Sequence, residues 1–340
     1  MKVAVLYDTG DDRVEIPAPP PPQPRGKRRR RRQPRPLLDR EEVHAALAEL
    51  GHEPSYCVLD GGEATLAALA RCRADVVFNL VEAYAGDDTK DMHVAAYLDL
   101  VGLPYTGSGP HALHLAQDKG LAKKVLSFHG ILSPKFAVAY RGELQHADEL
   151  EFPLIVKPAS EDGSIGIDAG AVVSTVKELM ERLTYIQTEF DAPALVEEYV
   201  EGREIYAAVL GNGKPEALPL VELDLSRLPN GMPRIAGSEV KWETDSAAYK
   251  KTRSALAKGI QEETVDEIHK AAVDVYQALK LRDYARIDVR LTPDGEIYVI
   301  EANPNPWIAA GAEFAMAARA SGRTYTQLIG EIVDMARARA

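Results

Sequence analysis

The sequence predicts an α/β fold that begins with a small parallel sheet covered by helices. Two observations support this: strand and helix signals alternate through about the first hundred residues, and the strand segments are apolar throughout rather than alternating with polar residues. Continuous apolar strands are typical of parallel sheets that are buried on both faces. At 340 residues, the chain is also long enough for two or three packed lobes.

The first lobe is defined by strand and helix signals as far as Gly102. We expect Asp39 to cap the first helix, and glycines at 51 and 102 to end two of the helices. The predicted strands lie at 3–7, 55–58 and 75–80, and the predicted helices lie at 39–50, 63–71 and 89–101.

The remainder of the chain predicts further strands and helices around one irregular stretch. Residues 211–260 are rich in glycine, proline and charge, so we expect a long and partly mobile segment there. Further strands are predicted at 135–139, 152–158, 194–200, 204–210, 284–291 and 296–301. Further helices are predicted at 113–129 (one or two helices), 175–190, 262–281, 311–320 and 325–338.

Composition excludes several classes of protein. No stretch approaches the roughly 18 uninterrupted apolar residues that a membrane-spanning helix requires. The two cysteines, Cys57 and Cys72, support neither a disulfide framework nor a cysteine metal site, so we expect a cytoplasmic protein.

A proline- and arginine-rich segment, residues 10–38, interrupts the first lobe. Eight basic residues lie between 25 and 35, so the rest of the chain carries about −20 (32 basic against 52 acidic residues) and is a poor candidate for general nucleic-acid binding. We interpret the segment as a disordered, solvated insertion, because no aromatic residues interleave for base stacking. Contact with nucleic acid, a membrane surface or an acidic partner is the alternative.

The last predicted hairpin carries a polar face that indicates metal binding. Counting back from a turn at 292–295 pairs Leu291 with Glu296, Asp288 with Val299, and Arg286 with Glu301. Side-chain alternation then places Arg286, Asp288 and Glu301 on one face, which Asn303 extends. The opposite, core face would hold Ile287, Val289, Tyr298 and Ile300.

Two carboxylates and an amide oxygen form an incomplete set of hard oxygen ligands. Such a set suits Mg²⁺, which commonly shares its coordination with substrate phosphates and water. The alternative is a surface ion pair between Arg286 and Glu301 on an exposed hairpin.

A lysine and a glycine-containing loop indicate phosphate binding. Lys157 ends an apolar strand, and the following loop contains Gly163, Ser164 and Gly166, which permit close approach of the backbone to phosphate oxygens. No Gly-Lys-Ser/Thr sequence follows, so this is not a Walker loop.

The segment from Glu197 to Glu204 is a third candidate. A buried acceptor at Glu197, beside free backbone groups, would suit the edge of an adenine ring, and Glu204 would suit ribose hydroxyls. The alternative is an ordinary hairpin with a charged tip.

Six segments in this order resemble the ATP-grasp superfamily, and most closely its D-alanine–D-alanine ligase branch. The matching segments are Gly102–Ser108, Asp118–Lys119, Phe152–Pro158, Glu197–Val200, Arg286–Val289 and Glu301–Asn303. The resemblance implies an N-terminal α/β lobe at 1–110, followed by two α+β lobes, at 111–193 and 194–340, that clasp ATP.

The resemblance also implies roles for individual residues. Lys119 and Lys157 would contact the ATP α- and β-phosphates, and the 160–166 loop would close over the other end of the triphosphate. The adenine ring would meet Glu197 and the Tyr199–Val200 backbone, and the ribose would meet Glu204. Lys241 would approach the terminal phosphates, and Arg286 would stabilise the developing negative charge. Two Mg²⁺ ions, with Mn²⁺ as an alternative, would be held by Asp288, Glu301 and Asn303.

The sequence departs from the D-alanine ligases at several substrate-side positions. The first-strand loop Tyr7–Asp12 lacks their glutamate-containing motif, and Val81-Glu82 replaces a His-Gly pair. Their loop-closing serine and tyrosine fall on Gly163 and Trp242, a glycine near the reacting carbonyl becomes Trp307, and a later serine aligns near Ala312. The ATP and metal positions match.

The resulting hypothesis is an ATP-dependent carboxylate–amine ligase that joins small amino acids through an acyl phosphate and releases ADP and phosphate. The alternatives are a D-alanine–D-alanine ligase proper and a catalytically silent ATP-binding partner protein. We expect small-molecule amino-acid or amine substrates, no membrane association and a homodimer.

Overall fold

The structure is a computed structural model that describes residues 1–9, 37–140, 143–145, 149–160, 164–229, 231–241 and 246–339. Except for Leu37 and Leu38, the predicted basic insertion at 10–38 lies outside these ranges. Among the described residues, no helix is both long and apolar enough to cross a membrane.

The N-terminal lobe is a parallel sheet with helices, as predicted. Strand β1 (Lys2–Asp8) lies between β2 (Glu53–Leu59) and β3 (Val76–Asn79), and both pairings are parallel. The helices are α1 (Asp39–Glu49), α2 (Glu63–Ala70) and α3 (Asp91–Val101).

Two helix starts in this lobe differ from the predictions. The N-cap of α1 is Leu38, and Asp39 is the first helical residue, where its carboxylate suits the positive end of the helix dipole. A 3₁₀ turn at Asp88–Lys90 precedes α3, so that helix begins at Asp91 rather than at 89.

The second sheet is antiparallel in the order β5-β4-β8-β6-β7. Its strands are β4 (Phe136–Tyr140), β5 (Glu143–Gln145), β6 (Leu154–Pro158), β7 (Val172–Val173) and β8 (Ala194–Glu198). Its helices are α4 (Pro110–Gln117), α5 (Lys119–Phe128) and α6 (Val176–Phe190). Asp118 separates α4 from α5 and caps α5, because its carboxylate accepts the Leu121 N–H.

The third sheet is antiparallel in the order β12-β11-β9-β13-β14, with β10 paired to β9. Its strands are β9 (Arg203–Leu210), β10 (Glu216–Ala217), β11 (Val221–Asp224), β12 (Arg253–Leu256), β13 (Tyr284–Leu291) and β14 (Ile297–Asn303). The accompanying helices are α7 (Ser238–Lys241), α8 (Ala247–Lys251), α9 (Glu262–Ala278), α10 (Glu313–Ala320) and α11 (Tyr325–Ala338).

The expectation of a long irregular segment at 211–260 is wrong in part, because short strands and helices hold 19 of its 45 described residues. Strands β10, β11 and β12 and helices α7 and α8 all lie within it. These elements are two to five residues long, so their patterns are too short to recognise without the neighbouring strands that complete their hydrogen bonds.

The boundary between the second and third predicted lobes, 193/194, stays a prediction. Strand β8, residues 194–198, pairs with β4 and β6 of the second sheet. The chain enters the third sheet only at Arg203, and this pairing favours a boundary in the turn at 199–202.

The β13–β14 hairpin has a different register from the predicted one. Leu291 pairs with Ile297, which lengthens the turn by one residue, and a shift between Asp288 and Val289 adds another. Asp288 is therefore opposite Glu301, and Arg286 is opposite Asn303. The two one-residue shifts add up to a whole period of the strand, so Asp288 and Glu301 still lie on the same face.

The predicted core face of β14 is wrong in part. Val299 packs into the core with Ile287 and Val289, because the longer turn pairs it with Val289 rather than with Asp288. Tyr298 and Ile300 are only half-buried.

Candidate functional site

A buried carboxylate between two lysines lies at the centre of the candidate site. Glu197 on β8 forms ion pairs with Lys157 at the end of β6 (2.6 Å) and with Lys123 on α5 (2.5 Å). All three side chains are almost fully buried. Burial alone would raise the pKa of Glu197, but the two lysines together hold it below its usual value. Burial lowers the pKa of Lys123, against the opposing effect of Glu197.

Lys123 was not anticipated from the sequence. It lies four residues after Lys119 on α5, so the two lysines share a helix face. That spacing was the available signal, but a lysine on a helix is ordinarily a solvated surface residue.

Beside Glu197 lies a narrow cavity of about 70 Å³. The predicted residues that line it are Lys157, Ser164, Glu197, Tyr199, Val200, Glu204, Lys241 and Glu301. Its apolar lining includes Ile155, Ile235 and Ile300. The cavity therefore combines apolar walls with charged groups, as a small-molecule site requires.

Arg290 is a lining residue that sequence reasoning missed. Its guanidinium forms a buried ion pair with Glu204 (2.6 Å) and donates to the carbonyl oxygens of Gly202 and Arg234. The two carbonyls hold Arg290, and Arg290 in turn holds one carboxylate oxygen of Glu204, which lines the cavity. Alternation along β13 places Arg290 on the same face as Arg286 and Asp288, which was the signal available in the sequence.

The Tyr199 backbone N–H already donates to the carbonyl of Pro153. The predicted hydrogen bonds to the edge of the adenine ring would therefore involve the Tyr199 carbonyl and the Val200 N–H. The Tyr199 hydroxyl accepts the backbone N–H of Arg234 (3.1 Å), which joins this wall to the segment before α7.

The predicted phosphate loop packs against the segment that carries Lys241. The Ser164 hydroxyl donates to the carbonyl of Ala236 (2.7 Å), and the Ser238 N–H donates to the carbonyl of Ile167 (2.8 Å). Gly166 adopts a φ of +71°, and a Cβ there would clash with the Pro158 ring, so this close packing requires glycine. Gly163 lies outside the described residues.

The polar face of β13 and β14 forms the opposite end of the site. Both Asp288 oxygens pair with Arg286, at 2.7 Å to Nε and 2.8 Å to Nη2. Arg286 also stacks over the ring of Tyr206, with 4.5 Å between Cζ and the ring centroid. The alternative of an Arg286–Glu301 surface pair is wrong, because the partner of Arg286 is the buried Asp288.

The two carboxylates of this face have opposite pKa shifts. Burial raises the pKa of Asp288 to about 6, against the opposing effect of Arg286. Burial would also raise the pKa of Glu301, but Lys119, Lys157 and Lys241 lower it to about 2. Glu301 is therefore a fixed negative charge among three lysines, and Lys119 is placed near it although Lys119 does not line the narrow cavity.

The donor set fits a divalent cation such as Mg²⁺. Asp288 and Glu301 are directly opposite on the two strands, and the Asn303 amide nitrogen contacts the Arg286 carbonyl (3.5 Å), which leaves the amide oxygen available. Among the described residues, no group of three or more His, Cys, Asp or Glu side chains could hold a metal. A site of two carboxylates and an amide would need further oxygens from a ligand.

A second, larger cleft of about 560 Å³ adjoins the narrow cavity. Lys241 and Glu301 line both spaces, so the two meet at these residues. Arg286 and Asn303 line the cleft from the third sheet, and Val81, Glu82 and Leu113 line it from the N-terminal side. A ligand in the narrow cavity and another in the cleft would therefore meet at Lys241 and Glu301.

Comparison with known proteins identifies the family. The family model described as D-ala D-ala ligase C-terminus matches residues 115–334. The chain is 35% identical to a D-alanine–D-alanine ligase of Bordetella petrii over 304 residues, 88% of this chain and 87% of that protein. The chain belongs to the D-alanine–D-alanine ligase family.

Two further matches describe its place in the family. The uncharacterized protein y4sG of Sinorhizobium fredii is 35% identical over 306 residues, 88% of this chain and 87% of that protein. A crystal structure of the D-alanine–D-alanine ligase of Bacillus anthracis complexed with ATP matches with a TM-score of 0.74 at 23% identity, covering 100% of this chain and 99% of that one. The ATP-grasp fold that the resemblance implied is confirmed.

Two of the positions at which the sequence departs from the D-alanine ligases line the cleft. Glu82 and Trp307 line the cleft, and the Trp307 side chain is half-exposed there. Ala312 is buried and offers no polar side chain to the cleft. Trp242 lies outside the described residues, like Gly163.

Proposed function

We propose that this protein is an ATP-dependent carboxylate–amine ligase that forms an amide bond through an acyl phosphate and releases ADP and phosphate. The observation that carries the proposal is the meeting of the narrow cavity and the cleft at Lys241 and Glu301. Phosphoryl transfer needs in-line positioning and charge neutralisation more than it needs a covalent protein group.

The charges around the narrow cavity support ATP as the nucleotide. Lys119, Lys123, Lys157 and Lys241 surround Glu197 and Glu301, while Arg286 and Asp288 neutralise each other. This positive surplus, partly buried, favours a polyanion such as a triphosphate. In this arrangement Glu204 binds the ribose, Glu197 and the Tyr199–Val200 backbone bind the adenine, and the loop that carries Ser164 and Gly166 covers the phosphates.

The lysines around Glu301, together with Arg286, support the chemistry. Lys119, Lys157 and Lys241 neutralise the triphosphate while a carboxylate in the cleft attacks its terminal phosphorus. Mg²⁺ held by Asp288, Glu301 and Asn303, with Mn²⁺ as a substitute, would supply further charge neutralisation at the phosphates. Arg286 stabilises the oxyanion that forms when an amine attacks the acyl phosphate.

The substrates we propose are small amino acids, or an amino acid and another amine. A D-alanine–D-alanine ligase proper is the second candidate, since relatives of 29–35% identity carry that name. We also propose that the protein is a homodimer, which sedimentation analysis would test, and that it acts in the cytoplasm.

The deciding experiment measures phosphate release from ATP and Mg²⁺ across pairs of amino acids, with mass spectrometry of the products. We expect release that depends on the amino acid and an amide product of matching mass. Binding of ATP without turnover on any pair would contradict the ligase and favour a catalytically silent ATP-binding protein.

A further inference from the structure

A carboxylate on the cleft wall, Glu313, has no role in the function proposed above. It is the first residue of α10 and lines the cleft together with Arg286, Tyr206 and Ser254. The Ser254 hydroxyl donates to Glu313 Oε1 (2.8 Å). In the described part of the chain this is the hydrogen bond that the side chain accepts, so one carboxylate oxygen is anchored and the other is available.

Strand register places Ser254, the hydrogen-bond partner of Glu313, on the same sheet face as Arg286. Ser254 on β12 pairs with Leu223, and Tyr206 on β9 pairs with Asp288, so these side chains share the sheet face that carries Arg286. Glu313 also interacts electrostatically with Arg286 and Tyr206. It is not their ion-pair partner, because Arg286 is held by Asp288.

Other charged and titratable groups of the cleft are already engaged or lie elsewhere. Asp288 is paired with Arg286, and Glu301 lies among the lysines. The remaining groups are Lys241, Tyr249 and Arg253 on the C-terminal side and Glu82, Asp88 and Asp91 on the N-terminal wall. Within the described ranges, Glu313 thus lies near Arg286 in the cleft and forms no salt bridge of its own.

We propose that Glu313 binds the ammonium group of the acceptor and removes a proton from it. The inference rests on the proposed ligase function. An α-ammonium group has a pKa of about 8 and is mostly protonated at neutral pH, so its nitrogen has no free lone pair. A carboxylate beside the oxyanion-stabilising Arg286 both attracts this cation and generates the nucleophile.

The step balances as follows for an acceptor with three ammonium protons. Glu313 takes one proton, the nitrogen forms the C–N bond to the acyl carbon, and the C–O bond to the phosphate breaks. The second proton leaves with the phosphate as hydrogen phosphate, and the third stays on the amide nitrogen. Glu313 then returns its proton to solvent.

The test compares two nucleophiles in wild type and in Glu313→Gln. Glycine, L-alanine and D-alanine are each offered as donor, with hydroxylamine or the amino acid itself as acceptor. Hydroxylamine is largely unprotonated at neutral pH, so it traps an acyl phosphate as a hydroxamate without a base. We expect amide formation to fall about 100-fold or more in Glu313→Gln, while hydroxamate formation changes less than threefold. Glu313→Asp should recover part of the amide rate.

Glu49→Gln is the matched control. The Glu49 carboxylate also accepts from a hydroxyl, that of Thr326 (3.0 Å), but it lies on α1 away from the cleft, so both rates should equal those of wild type. Equal loss of amide and hydroxamate in Glu313→Gln, or no loss of amide, would overturn the role of Glu313 alone. Absence of hydroxamate from the wild-type enzyme with every donor would overturn the proposed function, and this inference with it.

Discussion

At the scale of single residues, the site works by opposing charges in low-dielectric surroundings. The same burial that raises the pKa of Asp288 is overcome at Glu301 by three lysines. Residues with identical chemistry therefore behave differently on adjacent strands. Substitutions at these positions should separate effects on catalysis from effects on stability.

Glu301→Gln should abolish turnover and leave the fold intact. The change removes the fixed negative charge that the proposed cation requires, and glutamine keeps the shape of the side chain. Turnover should be assayed at saturating Mg²⁺, with thermal melting as a check of folding. Near-normal activity would contradict the metal assignment.

Asp288→Asn should also abolish turnover, but the structure adds a cost in stability. Asp288 is the buried partner of Arg286, and breaking a buried ion pair costs roughly 3–5 kcal/mol. The free energy of unfolding should therefore fall more in this variant than in Glu301→Gln, which urea denaturation of both variants would measure.

Lys157→Ala should weaken ATP binding much more than amino-acid binding. Its ammonium pairs with Glu197 and lines the narrow cavity, whereas the amino acids would bind in the cleft. Loss of a charge-assisted contact of about 1.5–3 kcal/mol corresponds to roughly a tenfold or greater loss of affinity. Calorimetry with ATP gives the measurement. Lys177→Ala, an exposed lysine on α6, is the matched control and should bind ATP like wild type.

At the scale of elements, one turn of the N-terminal lobe holds both ends of the β13–β14 hairpin. The Gly107 N–H donates to Asp283, just before β13, and the Ser108 N–H donates to Asn305, just after β14. The two ends of the hairpin are thus connected to the same turn, which fixes the hairpin relative to the N-terminal wall of the cleft.

Gly107→Ala should lower both the melting temperature and turnover. Gly107 has a φ of +87°, and a Cβ there would collide with the Asn305 amide. The matched control is Gly51→Ala, because Gly51 has a φ of +77° and nothing lies within 4 Å of its Cβ position. Both variants carry backbone strain, so the extra loss in Gly107→Ala, about 1–3 kcal/mol, measures the clash. Equal melting temperatures would show that the turn yields without cost.

At the scale of the whole molecule, three sheets contribute to one continuous binding space. The second sheet supplies Lys157 and Glu197, the third supplies Arg286, Asp288, Glu301 and Asn303, and the first lobe supplies Glu82 on the cleft wall. Of the positions that depart from the D-alanine ligases, Glu82 and Trp307 line the cleft, whereas the matching residues Lys157, Glu197 and Glu204 line the narrow cavity.

D-alanine should not be the best substrate at both positions. Trp307 adds a large, half-exposed side chain to the cleft, and Ala312 provides no hydroxyl, so polar groups of a bound D-alanine pair would lose partners. Steady-state kinetics on D-alanine, beside panels of L-amino acids, D-amino acids and hydroxy acids, decides the matter. The highest kcat/KM for D-alanine at both positions would mean that the substitutions are neutral.

The sequence by itself determined the chemistry of this protein and the order of its main elements. Strands such as β6 and β13 and helices such as α6 and α9 were predicted within a few residues, because their apolar patterns are long enough to specify an element locally. The shared face of Asp288 and Glu301 was also predicted, although the register behind it was wrong.

Only the tertiary structure decided which charges meet. Glu197 pairs with Lys123, Glu204 with Arg290, and Glu313 with Ser254. The two members of each pair are about 60 to 90 positions apart in sequence. No local pattern encodes such contacts, because they follow from strand order and from a bulge whose position depends on packing. The narrow cavity and the cleft exist only where separately encoded sheets come together.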